Sequence, residues 1–231
     1  MTKTDGAVLK ATGLSKSYRL GELTIPALRD VDLTVRQGEF LAVMGPSGSG
    51  KSTLLQLLGL LDVPDSGEVE IAGERTATLD DDALTGIRRS KLGFLFQSFE
   101  LIPNLSAREN VLLPAEIAGR GAAATGRLAE LADALGIADR LDHRPRQLSG
   151  GQRQRVALAR ALINEPLVVL ADEPSGNLDA GTSHKLHDLL FDLRERTGVS
   201  LVVVTHNPDL AKRADRILVL EQGQLRPQTG A

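Results

Sequence analysis

The sequence predicts an α/β fold built around a mainly parallel sheet with helices on both faces. Three apolar, Val- and Leu-rich runs of strand length alternate with helical patterns in the second half of the chain: Leu167–Ala171, Leu201–Val204 and Ile217–Leu220. Strands that are apolar throughout are typical of parallel sheets, because both faces of such a sheet are buried. Residues 106–144 are rich in Ala and Leu and predict the helices of an insert that comprises roughly 60 residues with its flanking segments.

The earlier elements follow from local patterns. The strand Phe40–Met44 enters a glycine-rich turn, and Lys51–Leu61 after it has the apolar spacing of a helix. Glu68–Ile71 is a further strand that ends before a glycine. The helices of the insert are expected to break at Gly119–Gly121 and at Gly136, since glycine weakens helices.

These elements predict one domain over residues 1–231. Its core is expected to comprise about residues 1–97 and 164–231, and its helical subdomain about residues 98–163. Helical spacing returns near residues 180–197, where four leucines fall on one face and indicate packing against the sheet.

Composition excludes several functions. The chain has 231 residues, of which 42% are hydrophobic, which is ordinary for a globular protein. A formal net charge of −3 provides no basic field for DNA or anionic lipid, and 3% aromatic residues provide no stacking surface for single-stranded nucleic acid. The absence of cysteine excludes disulfides, thiolate metal sites and cysteine nucleophiles.

Hydropathy predicts a chain that does not enter the bilayer by itself. No apolar run approaches the roughly 18 residues needed to span a membrane. Met1–Lys10 is polar and lacks the apolar centre of a signal peptide. We therefore expect a cytoplasmic protein, for which any role at a membrane would have to come through a partner.

A phosphate-binding loop lies between the strand Phe40–Met44 and the helix that follows it. The loop fits the G-x-x-x-x-G-K-[ST] pattern with the residues Gly45, Pro46, Ser47, Gly48, Ser49, Gly50, Lys51 and Ser52. Glycines let successive backbone N–H groups point inward at an anion, and the helix N-terminus adds positive potential. Lys51 is expected to bridge the β- and γ-phosphates, Ser52 to ligate Mg²⁺, and Thr53 to bind an inner phosphate. The chain is thus predicted to bind a nucleoside triphosphate.

Two carboxylates end the apolar strand at Leu167–Ala171. In a parallel sheet the carboxyl end of a strand faces the ligand crevice, so Asp172 is expected to hold Mg²⁺. Glu173 follows, where it can align or deprotonate the attacking water. An Asp-Glu pair alone is weak evidence of a site, but a pair that follows a phosphate loop in this chain order predicts nucleotide hydrolysis.

The sequence Leu148-Ser149-Gly150-Gly151-Gln152 resembles the signature motif of ABC ATPases. The family's other motifs occur in the expected order, with resemblances to the adenine-stacking aromatic, the Q-loop, the D-loop and the switch histidine at Tyr18, Gln97, Pro174–Asp179 and His206. The resemblance implies a RecA-like core, an N-terminal antiparallel β subdomain and a helical insert.

The resemblance also implies roles for these residues. Ser149, Gly150, Gly151 and Gln152 would contact the γ-phosphate held by a second copy of the chain, so that two ATP molecules bridge a homodimer. Gln97 would sense Mg²⁺ and the attacking water, His206 would contact the γ-phosphate, and Asp179 would connect the two sites. For Tyr18, partly buried packing is the alternative to stacking on adenine.

Finer similarities join the chain to the lipoprotein-releasing and macrolide-export (LolD and MacB) group, for example in Phe96–Pro103 and in Ser175–Asp179. The group usually has Thr where Ser175 stands. Its partner is an integral membrane permease, which implies a peripheral location on the cytoplasmic face of the membrane. A regulatory ABC ATPase that acts on a membrane partner in cell division or envelope remodelling remains the alternative. The apolar side chains of Ser98–Pro103 are expected either to receive that partner or to pack inward.

Overall fold

A computed structural model describes residues 6–228 of the chain. These residues form two compact units, one that runs to Arg88 and resumes at Ser200, and one that comprises Arg89–Val199. The helical subdomain expected at residues 98–163 falls within the second unit, and its boundary with the core stays a prediction.

Strands and helices alternate through most of the chain. The strands are β1 (Ala7–Leu20), β2 (Leu23–Arg36), β3 (Phe40–Met44), β4 (Ser66–Ile71), β5 (Glu74–Arg75), β6 (Leu92–Phe96), β7 (Val168–Asp172), β8 (Ser200–Val204), β9 (Arg216–Glu221) and β10 (Gln224–Pro227). The helices are α1 (Lys51–Leu58), α2 (Asp81–Lys91), α3 (Ala107–Ile117), α4 (Thr125–Ala134), α5 (Gly150–Leu162), α6 (Ala180–Thr197) and α7 (Pro208–Ala211), with short 3₁₀ helices at Ala138–Arg140 and Pro145–Gln147. No helix within residues 6–228 has the length and hydropathy to cross a bilayer.

The first unit contains an antiparallel sheet in the strand order β2-β1-β4-β5. β1 and β2 form a long hairpin in which Leu20 pairs with Leu23 next to the turn, and Tyr18 pairs with Ile25. Further from the turn, Leu9 and Leu14 of β1 are fully buried. This is the antiparallel β subdomain that the sequence resemblance implied.

The first unit also contains the parallel strands that carry the phosphate loop. β3 pairs in parallel with β8 and with β9, and β10 adds an antiparallel edge to β9. The side chains of Phe40–Val43 are at most 1% exposed, as expected for a strand covered on both faces. The predicted α/β class is therefore confirmed.

The second unit joins one parallel strand pair to the helical insert. β6 and β7 pair in register, with Phe96 opposite Asp172. Ser106 begins α3 with a capping box, in which its hydroxyl accepts from Glu109 N and the Glu109 carboxylate accepts from Ser106 N. The expected helix breaks are present between α3 and α4 and after α4.

One helix is shorter than its sequence pattern predicts. The apolar spacing continues to Leu61, but α1 ends at Leu58. Leu60 adopts a positive φ of 57°, and the N–H of Leu61 donates back to the carbonyl of Gln56 at 2.8 Å. The chain therefore reverses after Gly59, and its apolar residues no longer follow one helix face.

Candidate functional site

The predicted phosphate loop connects the buried end of β3 to the start of α1. Gly50, the residue before the helix, has a φ of 103°, which lies in the left-handed region that favours glycine. A Cβ atom at Gly50 would collide with the carbonyl oxygen of Ala27. The loop passes so close to the backbone of β2 that only glycine fits there.

The start of α1 is arranged to receive an anion. Gly50 provides no side-chain cap, and the first turn contains no acidic residue, so the positive end of the helix dipole is not neutralised locally. Lys51 Nζ donates to the carbonyl oxygens of Gly45 and Pro46, each at 2.8 Å. The Ser49 hydroxyl is buried and has no hydrogen-bond partner. Such an orphaned polar atom beside an uncapped helix fits a site completed by phosphate oxygens.

The remaining loop positions are accessible to a ligand. Pro46, Ser47 and Gly48 are exposed at the loop tip, and Ser52 is exposed on the first turn of α1. Thr53 is half-buried. Ser52, the residue of α1 predicted to ligate Mg²⁺, is thus exposed to solvent.

His206 reaches the same sheet edge as the phosphate loop. β8 ends at Val204, which pairs with Val43 of β3, and Thr205 N donates to the carbonyl of Val43 at 3.0 Å. His206 follows and is exposed. The parallel register therefore brings the predicted switch histidine to the level at which β3 enters Gly45.

Tyr18 projects from β1 as part of a polar cluster that the sequence did not predict. Its side chain is 38% exposed, and its hydroxyl donates to Asp62 Oδ2 at 3.0 Å. Lys16 Nζ lies 5.3 Å from the ring centroid and 2.8 Å from Asp62 Oδ1. The hydrogen bond to Asp62 raises the pKa of Lys16. The ring is held in place and remains accessible, while its stacking on adenine stays a prediction.

In the second unit, Asp172 ends β7 and Glu173 directly follows the strand; both residues are half-buried. Glu173 has a positive φ of 44°, which is uncommon for a residue with a side chain and frequent at functional sites. Because Phe96 pairs with Asp172, Gln97 leaves β6 at the level of Glu173. The structure thus brings Gln97, Asp172 and Glu173 to the same end of the β6–β7 strand pair.

Gln97 is fastened to the loop that follows Glu173. Its side-chain amide donates to Asn177 Oδ1 at 3.3 Å, and Asn177 Nδ2 donates to the Gln97 carbonyl at 3.0 Å. The sequence resemblance assigns Asn177 to the D-loop, but it does not predict the contact with Gln97. This reciprocal pair joins the predicted Q-loop to the D-loop.

The signature residues surround the start of α5. Ser149 caps the helix, since its hydroxyl accepts from Gln152 N at 3.3 Å and Gln152 Oε1 accepts from Ser149 N at 2.9 Å. Ser149 is exposed, while Gly150, Gly151 and Gln152 are half-buried. A Cβ atom on Gly151 would lie 2.6 Å from Thr182 Cγ2. The glycine therefore lets the signature pack directly against the first turn of α6.

Asp179 caps that neighbouring helix. Its carboxylate accepts from the N–H of Thr182 at 2.9 Å and from the Thr182 hydroxyl at 2.6 Å. These hydrogen bonds from Thr182 lower the pKa of Asp179, so the group is ionised at neutral pH. The connection of Asp179 to a second copy stays a prediction.

The side chains available as metal ligands are compatible with an Mg²⁺ ion that is held mainly by a substrate. Within residues 6–228 no group of three or more His, Asp or Glu side chains could hold a metal ion. Mg²⁺ commonly takes one or two protein ligands and completes its shell with phosphate oxygens and water. The assignment of Ser52, Gln97 and Asp172 to Mg²⁺ stays a prediction.

The apolar side chains of the segment after Gln97 lie in different environments. Phe99 is only 9% exposed, and its ring lies 5.1 Å from the Arg153 guanidinium carbon, so it packs inward. Arg160 donates to the carbonyl oxygens of Phe99 and Glu100 and fixes the segment on α5. Ile102 is 41% exposed, and its contact with a partner stays a prediction.

Known proteins resemble this chain over most of its length. The family model described as ABC transporter matches residues 28–176. The lipoprotein-releasing system ATP-binding protein LolD of Xanthomonas oryzae pv. oryzae is 47% identical over 221 residues, which cover 95% of this chain and 91% of that protein. The macrolide export ATP-binding/permease protein MacB of Chlorobaculum tepidum is also 47% identical, over 94% of this chain. The chain spans only 33% of the length of that MacB protein.

A solved structure extends the comparison to three dimensions. The ATP-binding cassette MJ0796, a protein of Methanocaldococcus jannaschii, has been solved as a dimer in a post-hydrolysis state bound to ADP and Pi. Its chain superposes with a TM-score of 0.85 at 44% sequence identity, covering 96% of this chain and 100% of that one.

Proposed function

The chain belongs to the ABC transporter family and is an ATP-binding ATPase subunit; from that premise we propose that two copies close around two ATP molecules to drive a membrane-embedded partner. The observation that carries the ATP site is the start of α1. There an uncapped helix N-terminus, the Lys51 ammonium and the orphaned Ser49 hydroxyl converge on one loop. Each of these groups gains a partner when a triphosphate enters.

Lys51 is proposed to exchange its two backbone carbonyl partners for the β- and γ-phosphate oxygens of ATP. The N–H groups of Gly48–Ser52 would surround the β-phosphate, and Thr53 would bind an inner phosphate. Tyr18 would stack on the adenine ring, with its hydroxyl held by Asp62. These contacts bind and orient the nucleotide before any chemistry takes place.

Hydrolysis is assigned to the groups at the strand ends. Ser52, Asp172 and Gln97 would hold Mg²⁺, directly or through water, and the bound ion would neutralise charge on the phosphate oxygens. Glu173 is proposed to align the attacking water and accept its proton. His206 would donate a hydrogen bond to the γ-phosphate as its charge develops.

The signature is proposed to complete the site of the second copy. The Ser149 hydroxyl oxygen already accepts a hydrogen bond from Gln152 N, which leaves its hydrogen free to donate to a γ-phosphate oxygen. The N–H groups of Gly150, Gly151 and Gln152 would add to the binding of that anion. Asp179 would link one ATP site to the other across the dimer. Dimeric solved relatives at 44% identity support this arrangement.

We place the dimer at the cytoplasmic face of a membrane, bound to an integral permease subunit. Relatives named for lipoprotein release and macrolide export support this type of system. The exposed Ile102, on a segment fixed to α5, is a candidate contact with that subunit. Transport of lipoproteins, or efflux of macrolides or peptides, is the proposed activity of the assembly.

Ser149→Asp is expected to lower the rate of ATP hydrolysis about 100-fold, because the developing negative charge loses a hydrogen-bond donor. The affinity of the monomer for ATP is expected to stay within about twofold of wild type. Aspartate is as good a helix cap as serine, so α5 keeps its start while the γ-phosphate of the second copy is repelled. Steady-state ATPase rates and equilibrium binding of a fluorescent ATP analogue measure the two quantities.

Two alanine variants separate this effect from helix stability. Ser106 and Ser149 both cap a helix within a capping box, so Ser106→Ala and Ser149→Ala lose the same type of hydrogen bond. Only Ser149→Ala is expected to reduce hydrolysis strongly. Equal losses in both variants, or a large loss of ATP affinity in the Ser149→Asp monomer, would contradict the assignment.

A further inference from the structure

Gln154 is a buried polar side chain in the middle of the second unit. It lies in α5, is 0% exposed, and donates from its side-chain amide nitrogen to the carbonyl oxygen of Pro174 at 2.5 Å. The hydrogen bond connects the signature helix to the residue that follows Glu173. None of the sequence motifs indicated it.

The amide of Gln154 is only half satisfied. Its Oε1 atom is buried and has no hydrogen-bond partner, which costs free energy that an apolar side chain of similar size would not lose. The amide cannot be reversed at no cost, because only its nitrogen can donate to a carbonyl oxygen. The hydrogen bond to Pro174 is therefore made despite an environment that is unfavourable for the rest of the amide.

Pro174 lies where the backbone conformation of Glu173 has to be held by its surroundings. It directly follows Glu173, whose positive φ of 44° is held only if the surrounding structure imposes it. Ser175, the next residue, is buried, and its hydroxyl lies 2.9 Å from His187 Nε2. The Glu173 carbonyl accepts from Gly176 N at 2.9 Å. The loop after Glu173 is therefore held at three points: by Gln154 at Pro174, by His187 of α6 at Ser175, and by the turn that Gly176 closes.

The other end of this connection is the signature. Gln154 lies about one helical turn after Gly150, in the helix that Ser149 begins. A helix transmits displacement as a rigid element, so a shift of Ser149–Gly151 moves the Gln154 amide and, through it, the Pro174 carbonyl.

We propose that Gln154 is a positioning residue that couples the signature, which serves the second copy's ATP, to Glu173, which acts on the chain's own ATP. The proposal rests on the function assigned above. Engagement of the signature by the second copy's γ-phosphate sets the position of α5, and the hydrogen bond from Gln154 sets the peptide after Glu173. The two ATP sites of a dimer are thereby linked within each subunit.

Gln154→Met tests the link in the full-length chain. Methionine has a similar length and no amide, so packing is retained while the donor is lost. We expect kcat to fall about tenfold, as for a mispositioned catalytic group, with binding of a fluorescent ATP analogue to the monomer unchanged. The Hill coefficient for ATP is expected to fall from about 2 towards 1, because coupling between the sites is lost.

Val156→Ala is the matched control for stability. Val156 is fully buried in the same helix, and its truncation removes packing but no hydrogen bond. This variant is expected to melt at a lower temperature with a kcat within about twofold of wild type and an unchanged Hill coefficient. Gln154→Leu serves as a second variant without the donor if the methionine variant does not fold.

The outcomes separate the two claims. A wild-type protein without cooperative ATPase activity would overturn the proposed function and this link with it. A cooperative wild type together with an equally cooperative Gln154→Met would overturn only the role of Gln154. If Val156→Ala lost cooperativity to the same degree as Gln154→Met, the role of Gln154 would also be overturned.

Discussion

Lys51→Ala is expected to lower ATP affinity about 100-fold or more and to reduce hydrolysis to background. Lys51 Nζ lies on the phosphate loop and donates to the carbonyls of Gly45 and Pro46, where its charge is available to the triphosphate. Hydrogen bonds to charged groups contribute about 1.5–3 kcal/mol each, so the loss of two amounts to roughly 100-fold or more. Isothermal titration with Mg-ATP, together with an ATPase assay, measures both effects.

Lys10→Ala is the matched control for this variant. Lys10 is an exposed lysine of β1 in the same unit, and its removal changes the net charge of the chain equally. We expect its ATP affinity and ATPase rate to remain within about twofold of wild type. If Lys51→Ala bound ATP as tightly as Lys10→Ala, the phosphate loop would not be the nucleotide site.

Glu173→Gln is expected to lower the ATPase rate about 100-fold or more while ATP affinity is kept. Loss of a general base typically costs 10²–10⁴-fold. Glutamine retains the size and hydrogen-bonding capacity of the side chain but cannot take a proton. Single-turnover hydrolysis and nucleotide binding, measured on the same preparation, separate the chemical step from affinity.

Glu165→Gln makes the same substitution in a comparable backbone. Glu165 also lies in the second unit and has a positive φ of 53°, so any strain in placing glutamine there is shared with Glu173→Gln. Its ATPase rate is expected to match wild type. A Glu173→Gln protein that hydrolyses ATP at the rate of Glu165→Gln would remove Glu173 from the mechanism.

Features encoded by contiguous sequence were predicted well. The phosphate loop could be located because a strand, a glycine-rich turn and a helix follow each other within a few residues around Gly45–Ser52. The position of Gln97 level with Glu173, by contrast, depends on the pairing of β6 with β7, two strands far apart in the chain whose adjacency the sequence did not predict. Only the phosphate loop could be located without knowledge of distant contacts.

Side-chain partners far apart in the chain could not be predicted. Asp62 binds the hydroxyl of Tyr18 across 44 residues, Gln154 binds Pro174 across 20, and Asn177 binds Gln97 across 80. Such pairs depend on how the elements pack, and a buried glutamine within a helical pattern has no sequence signal of its own. The Glu173 φ angle is likewise a product of this tertiary setting.

The sequence also left two local questions undecided. The apolar spacing after Lys51 did not indicate that α1 ends at Leu58, because the residues beyond it stay apolar while the backbone reverses. For Phe99 and Ile102, hydropathy alone could not distinguish packing from docking. The structure decides the question for Phe99, which is buried beside Arg153, whereas docking of the exposed Ile102 stays a prediction.

The central claim is that ATP itself joins two copies of the chain through Ser149. Its most direct test is the molecular mass of Glu173→Gln in saturating Mg-ATP, measured by sedimentation equilibrium alongside the double variant Glu173→Gln/Ser149→Asp. We predict twice the chain mass with two bound ATP molecules per dimer for the single variant, and an ATP-bound monomer for the double variant. A monomeric Glu173→Gln protein under these conditions, or a double variant that dimerises equally well, would contradict the account.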